Sequence, residues 1–259
     1  MSLTTVAKAL PLFYPQVRML NSVRDRDMCV MPPQDYRFVV DTNSIPLVAE
    51  EFFSAQAHYP IVFAGTENPT PVAIVGLRND ENLFVGADGA WRADTYLPLY
   101  VRRHPFVFIK GNDGTLNLGV DATSPRLSAE RGQKLFDDNK PSALTSGLLD
   151  FCIAFSRQHD IAVALGAALH EHSLLVDYRF DVTAAGQTHR VGGCRVVAED
   201  RLAALPDELF LEWRRAGWLP MITAHLLSLR QWEALGRLAA ARAAAAPADT
   251  SLDTAALAA

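Results

Sequence analysis

Ile61-Val-Phe-Ala64, Val72-Ala-Ile-Val75, Leu83-Phe-Val85, Phe106-Val-Phe-Ile109 and Leu116-Asn-Leu-Gly-Val120 follow one another with no helical pattern between them. Turn residues punctuate the series at Asp88-Gly89 and Asn112-Asp113-Gly114. Short runs rich in Val, Ile and Phe, bounded by such turns, read as strands. Their close spacing leaves no room for crossover helices, so the strands form an antiparallel meander. The first two runs are apolar throughout, as central strands covered on both faces are. Beyond Pro141 the period lengthens: Leu144, Leu148, Phe151, Cys152 and Phe155 recur at helical spacing, with Pro141 suited to a first turn. Ile161 to Leu169 reads as a further helix in which Gly166 allows close approach. Val176, Tyr178, Phe180 and Val182 then alternate with Asp177, Arg179 and Asp181, the pattern of a half-exposed strand. A turn at Gly186 returns the chain through Arg190-Val-Gly-Gly-Cys-Arg-Val-Val197 as its hairpin partner, and Gly192-Gly193 marks a bulge. Two more helices follow, one over 206–216 and one carrying Ile222, Leu226, Leu229, Trp232, Leu235 and Leu238 on a single stripe. The fold expected is α+β: a largely antiparallel sheet, an N-terminal meander plus the later hairpin, packed with about four helices. Residues 1–35 read as an N-terminal arm, 36–246 as a single α+β domain, and 247–259 as a disordered alanine-rich tail.

Composition bounds the function. The 259 residues are 49% hydrophobic and 20% charged, which excludes a wholly disordered chain. With 24 Lys+Arg against 29 Asp+Glu the net charge is −5, so no positive field exists to hold a phosphate backbone, and nucleic acid is not an expected partner. No segment approaches the ~18 uninterrupted apolar residues of a spanning helix, so no membrane span is expected. Cys29, Cys152 and Cys194 are too far apart for a zinc or redox pair and read as reduced thiols. The stretch 1–13 has one Lys, a short apolar patch and Pro11, too little for a secretory signal, so we expect a cytoplasmic protein.

The dinucleotide, P-loop and hydrolase-elbow glycine motifs are absent from the sequence. The densest unusual stretch runs from Gly76-Leu-Arg78 and Glu81 through Trp91 and Tyr96-Leu-Pro-Leu-Tyr100 to Arg102-Arg-His-Pro-Phe106. Arginine forks and amphipathic rings together suit a carboxylate or peptide. The candidate ligand-binding residues are therefore Arg78, Glu81, Trp91, Tyr96, Arg102, Arg103 and His104. If the chain is extended there, Arg102 and Arg103 face opposite ways and at most one lines a given pocket. The competing reading makes the stretch core, with Trp91, Tyr96 and Phe106 covering a sheet edge and Arg78 or Arg102 paired with Asp80, Glu81 or Asp94. No catalytic residue is identified and no cofactor is expected. An alternative places Fe(II) on His170, His172 and a carboxylate, since an iron site needs two histidines and an acid. That pair shares a face only on a strand, because i,i+2 side chains on a helix diverge by about 200°.

The ordered series Asn43-Ser-Ile-Pro-Leu47, Tyr59-Pro-Ile-Val-Phe63, Gly76-Leu-Arg78 with Glu81-Asn-Leu-Phe84, Trp91, Tyr96-Leu-Pro98, Arg102-Arg-His-Pro-Phe106, Gly132-Gln-Lys-Leu-Phe-Asp137, Val191-Gly-Gly193 and Ala224-His-Leu-Leu-Ser-Leu-Arg230 resembles the SapC-like bacterial protein family. The resemblance spans about residues 36 to 238. It departs at His104, where the family has Tyr, and Asn117-Leu-Gly-Val-Asp121 is a loose version of its segment. The family brings no catalytic motif that transfers residue by residue. The resemblance implies company with outer-membrane receptors of TonB-associated uptake loci, tryptophan-halogenase-like flavoproteins and cupin-like oxygenases. A peptide-transport permease shares the name, but the missing membrane span separates this chain from it.

Three functions are therefore expected in competition. The first is a soluble accessory protein that binds a peptide, an amino-acid derivative or a partner enzyme such as a halogenase-like flavoprotein. The second is a non-haem iron-dependent oxygenase of a peptide or aromatic substrate. The third is a surface-layer-related assembly component. A homodimer through an exposed continuation of the C-terminal stripe is a further expectation.

Overall fold

The computed structural model describes residues 11–245, apart from 34, 111–114 and 185–186. The turns expected at Asn112-Asp113-Gly114 and Gly186 and the tail beyond 246 lie outside the described residues. The strands are β1 (Val17–Met19), β2 (Cys29–Val30), β3 (Ser44–Pro46), β4 (Ile61–Ala64), β5 (Thr70–Ile74), β6 (Phe106–Lys110), β7 (Leu116–Asp121), β8 (Leu127–Ser128), β9 (Gln133–Lys134), β10 (Phe136–Asp137), β11 (Lys140–Pro141), β12 (Leu175–Ala184) and β13 (Gln187–Val197). The helices are α1 (Phe52–Ala55), α2 (Leu99–Arg102), α3 (Ala143–Glu171), α4 (Glu199–Ala203), α5 (Asp207–Ala216), α6 (Trp218–Ser228) and α7 (Gln231–Ala245). Four of them, α3, α5, α6 and α7, run ten residues or more. Every strand pairing among the described residues is antiparallel, so the fold is α+β.

The main sheet has the order β12-β13-β4-β5-β3, and the wholly apolar β4 sits at its centre. Ile61, Val62 and Phe63 are 0% exposed, as the unbroken apolar run requires of a strand covered on both sides. The strands expected as one meander divide between two sheets. β7 pairs with both β6 and β1, in the order β1-β7-β6, and α2 falls between β5 and β6 in the chain. Leu83-Phe-Val85 is not a strand but a loop with a single bridge from Val85 to Trp91. Side chains take part of its backbone bonding: Asn82 accepts from Phe84 N at 2.9 Å, and Arg242 donates to the carbonyls of Asn82 and Val85, while Leu83 N donates to Val75 O and Phe84 O accepts from Arg92 N. Within the segment expected as an arm, β1 pairs with β7, β2 pairs with β8 and β9, and Tyr14 is 2% exposed with its hydroxyl on Phe106 O.

One helix of 29 residues stands where the spacing predicts two. The segment between Phe155 and Ile161 is polar but holds no Gly or Pro, so nothing breaks the i to i−4 ladder. Ser142 starts the helix by accepting from Thr145 N. Gly166 meets the Pro69 carbonyl so closely that a Cβ there would overlap it. Conversely, the single stripe over 222–238 belongs to two helices. α6 packs on β4 and α1 and α7 on β12, so the chain turns at Leu229 and Arg230 to serve both. The bulge expected at Gly192-Gly193 is present opposite Arg179, with Gly193 at φ +77°. α3 lies between a main core, holding Phe63, Leu165, Trp213 and Trp232, and a smaller one around Phe106, Leu135 and Cys152.

Candidate functional site

The stretch from Gly76 to Phe106 lacks the regular pairing of a strand, and its side chains settle in distinct places. Gly76 packs against the Glu81 backbone, closing a turn. Glu81 is 8% exposed; Oε2 accepts from Leu77 N at 3.1 Å and Oε1 from Arg78 Nη2 at 2.6 Å. Arg78 is exposed, so the pair fixes the turn more than it stabilises the chain.

Trp91 walls a cleft of about 450 Å³ between the 83–93 loop and α7. Its indole stacks on Phe84 at 6.1 Å and 20° and meets Tyr36 edge-on, while Nε1 is buried without a hydrogen-bond partner. Leu238 and Ala241 supply the facing wall. Two exposed charges border the cleft. Asp88 is tied locally, accepting from Ala90 N, whereas the Arg92 side chain has no partner among the described residues.

Tyr96 and Arg102 form a second group, the guanidinium lying 5.7 Å from the ring centroid. Beneath them is Glu51, 1% exposed, which the sequence reading misses. Its Oε1 accepts from Leu99 N at 2.6 Å and Oε2 from Val48 N at 2.9 Å, joining the 3-10 turn Ala49–Glu51 to the start of α2. Burial pushes its carboxyl up to about 7, against the pull of those two donors and the Tyr96 hydroxyl. Burial, with Glu51 nearby, likewise raises the Tyr96 phenol. The available signal was a glutamate three residues into a helical turn; valine at the capping position, which has no side-chain acceptor, hides it.

Arg103 and His104 turn inward. The chain is helical here rather than extended, so consecutive side chains diverge by ~100° and Arg102 is exposed while Arg103 is 8% exposed. The Arg103 guanidinium lies 4.3 Å from the ring centroids of both Tyr100 and Phe155 and 5.4 Å from that of Tyr14, and its Nε has no partner. His104 stacks on Phe38 at 4.0 Å and reaches Asp121 Oδ2 at 3.3 Å. Burial lowers the imidazole's proton affinity, with Asp121 partly offsetting it. The structure thus brings together Arg78 with Glu81 and Tyr96 with Arg102, gives Trp91 a cleft of its own, and places Arg103 and His104 in the interior.

The family model SapC matches residues 20–235, most of the chain, including Arg78, Glu81, Trp91, Tyr96, Arg102, Arg103 and His104 but not Tyr14 or the Leu238–Ala241 wall of the Trp91 cleft. The chain belongs to the SapC family. No curated protein and no solved structure matches it. Among the described residues of this SapC chain, no helix is long and apolar enough to cross a membrane. His170 and His172 stand at the end of α3, not on a strand, and their rings part: His170 Nδ1 faces Arg195 at 3.4 Å and His172 meets Trp213 edge-on at 5.8 Å. No group of three or more His, Cys, Asp or Glu side chains suited to a metal gathers among the described residues. His225, within the SapC stretch Ala224-His-Leu-Leu-Ser-Leu-Arg230, is 0% exposed and hydrogen-bonded through both nitrogens to the backbone of β4 and β13. Cys29, Cys152 and Cys194 are free and buried, and burial pushes the Cys152 thiol up to about 11.

Proposed function

We propose that the chain is a cytoplasmic accessory protein of a bacterial uptake or modification system, binding an amino-acid derivative or short peptide in the Trp91 cleft. The observation that carries this reading is the indole wall of a 450 Å³ cleft with an uncommitted arginine and an aspartate at its edge. The volume suits a small organic ligand. An indole face, Phe84 and Leu238 favour an aromatic or branched side chain, and Arg92 is placed to take a carboxylate in its planar fork. The Tyr96–Arg102 pair gives an exposed surface on which the ligand's destination, a partner enzyme, could be met.

Calorimetric titration with L-tryptophan, its N-acetyl amide and a Leu-Phe dipeptide tests the reading. Trp91→Ala should weaken binding at least about tenfold, the scale of a lost aromatic anchor, when measured below the variant's own unfolding midpoint, which falls because the indole's packing on Phe84 and Tyr36 is lost. Unchanged affinity in Trp91→Ala, or no heat from any probe at millimolar concentration, overturns the Trp91 cleft as the site.

A further inference from the structure

His172, the last residue of the His170-Glu-His172 motif, borders a second cleft of about 660 Å³. Its floor is apolar: Leu174 is 2% exposed, and Leu205 and Leu209 are half-buried. One wall is the turn after α3, held by Arg201 Nη1 donating to Ser173 O at 2.6 Å. The other wall is α5, where Glu208 and Glu212 are one helical turn apart and both line the cleft. Neither carboxylate has a hydrogen-bond or ion-pair partner among the described residues. Arg201, the arginine in the lining, donates to the Ser173 carbonyl and to neither carboxylate, so two glutamates against one arginine leave the lining with an excess of negative charge.

Carboxylates in excess and without ion-pair partners, over an apolar floor, are complementary to a cation carried on an apolar stem. The acids take the charge, and the floor takes the methylenes and a neighbouring apolar side chain. We propose that this cleft docks a basic segment of a partner polypeptide, a lysine or arginine beside a leucine-sized residue. The inference is independent of the Trp91 reading and gives the chain a means of holding a partner protein while its other cleft is filled.

Fluorescence anisotropy of a labelled acetyl-Leu-Lys-Leu-Arg-Leu-amide peptide tests it, with a control in which glutamine replaces Lys and Arg. The double variant Glu208→Gln/Glu212→Gln should bind the basic peptide at least about tenfold more weakly. Both glutamates are exposed, so its thermal midpoint should match wild type. The neutral peptide should lose a similar factor on wild type, and Trp91→Ala should bind the basic peptide normally. Equal affinity of the double variant and wild type, or of the two peptides, overturns the proposal. So does displacement by n-butylammonium at concentrations near the peptide's own Kd, which would assign the cleft to a small amine.

Discussion

Replacing His225 with leucine should cost the fold dearly at neutral pH and much less in acid. The imidazole stands between two strands: Nδ1–H donates to Ile61 O at 2.8 Å, and Nε2 accepts from Val197 N at 3.1 Å. The carbonyl can only accept, which fixes the tautomer. β13 and β4 pair at Cys194–Ala64 and Arg195–Phe63. Carried on, that register would set Val197 opposite Ile61, and the ring replaces the missing ladder bond. Leucine preserves most of the volume but leaves a buried N–H and a buried C=O unsatisfied, at about 1–3 kcal/mol each. A loss of roughly 4 kcal/mol at pH 7.5 follows from those two terms. Burial also lowers the imidazole from 6.5 to about 4. Between those values the unfolded chain binds the proton and the folded chain does not, so the histidine's contribution is full above 6.5 and drains away as pH falls towards 4. The shift corresponds to about 3 kcal/mol. Urea unfolding of both proteins from pH 7.5 to 4.5 should show the gap between them narrowing by most of that amount. A gap below about 1 kcal/mol at pH 7.5, less than the cost expected of a single unsatisfied group, or one that stays constant on acidification, refutes the bridging role.

Glu51 works in the opposite sense. Its folded carboxyl is raised from 4.5 to about 7, so its contribution is full below 4.5 and is lost as pH rises through 7. Wild type should therefore lose about 3 kcal/mol relative to Glu51→Gln between pH 4.5 and 8, and a difference independent of pH would show that the carboxyl is not perturbed. Because the Glu51 and His225 windows overlap with opposite signs, each variant has to be read against wild type at the same pH. Gly166→Ala should destabilise by about 1–2 kcal/mol, because overlap with the Pro69 carbonyl outweighs a helix-propensity gain of about 1 kcal/mol. A raised melting temperature would show that α3 can move away from Pro69.

What the sequence made legible was whatever depended on one residue's neighbours along the chain. The apolar run at Ile61–Ala64 specified a strand with no solvent face, the alternation over 176–182 specified its half-exposed counterpart, and Gly192-Gly193 marked the bulge. Each is a local pattern with a local cause. The failures share a different cause. Helix ends within apolar sequence are set by what the helix meets: α6 stops because His225 and Ser228 are committed to the Ile61 backbone, and α7 begins a new direction because Gly236 must lie against Val182. No periodicity over 222–238 carries that information.

The site follows the same logic. Arginine-rich, aromatic sequence identified the unusual stretch, but the partner elements that sort its side chains are remote. Phe155, twelve positions into α3, and Tyr14, near the start of the chain, draw Arg103 inward, while Leu238 and Ala241 from α7 make Trp91 one wall of a cleft. Residues that look equivalent in sequence, Arg102 and Arg103 above all, thereby acquire unlike roles. One is exposed, donating to Leu97 O and lying against the Tyr96 ring, and the other is a buried cation held by ring faces. Arg92 gave no sequence signal of its own, yet it is the arginine left uncommitted beside an aromatic wall, and a ligand carboxylate is the group best suited to complete it.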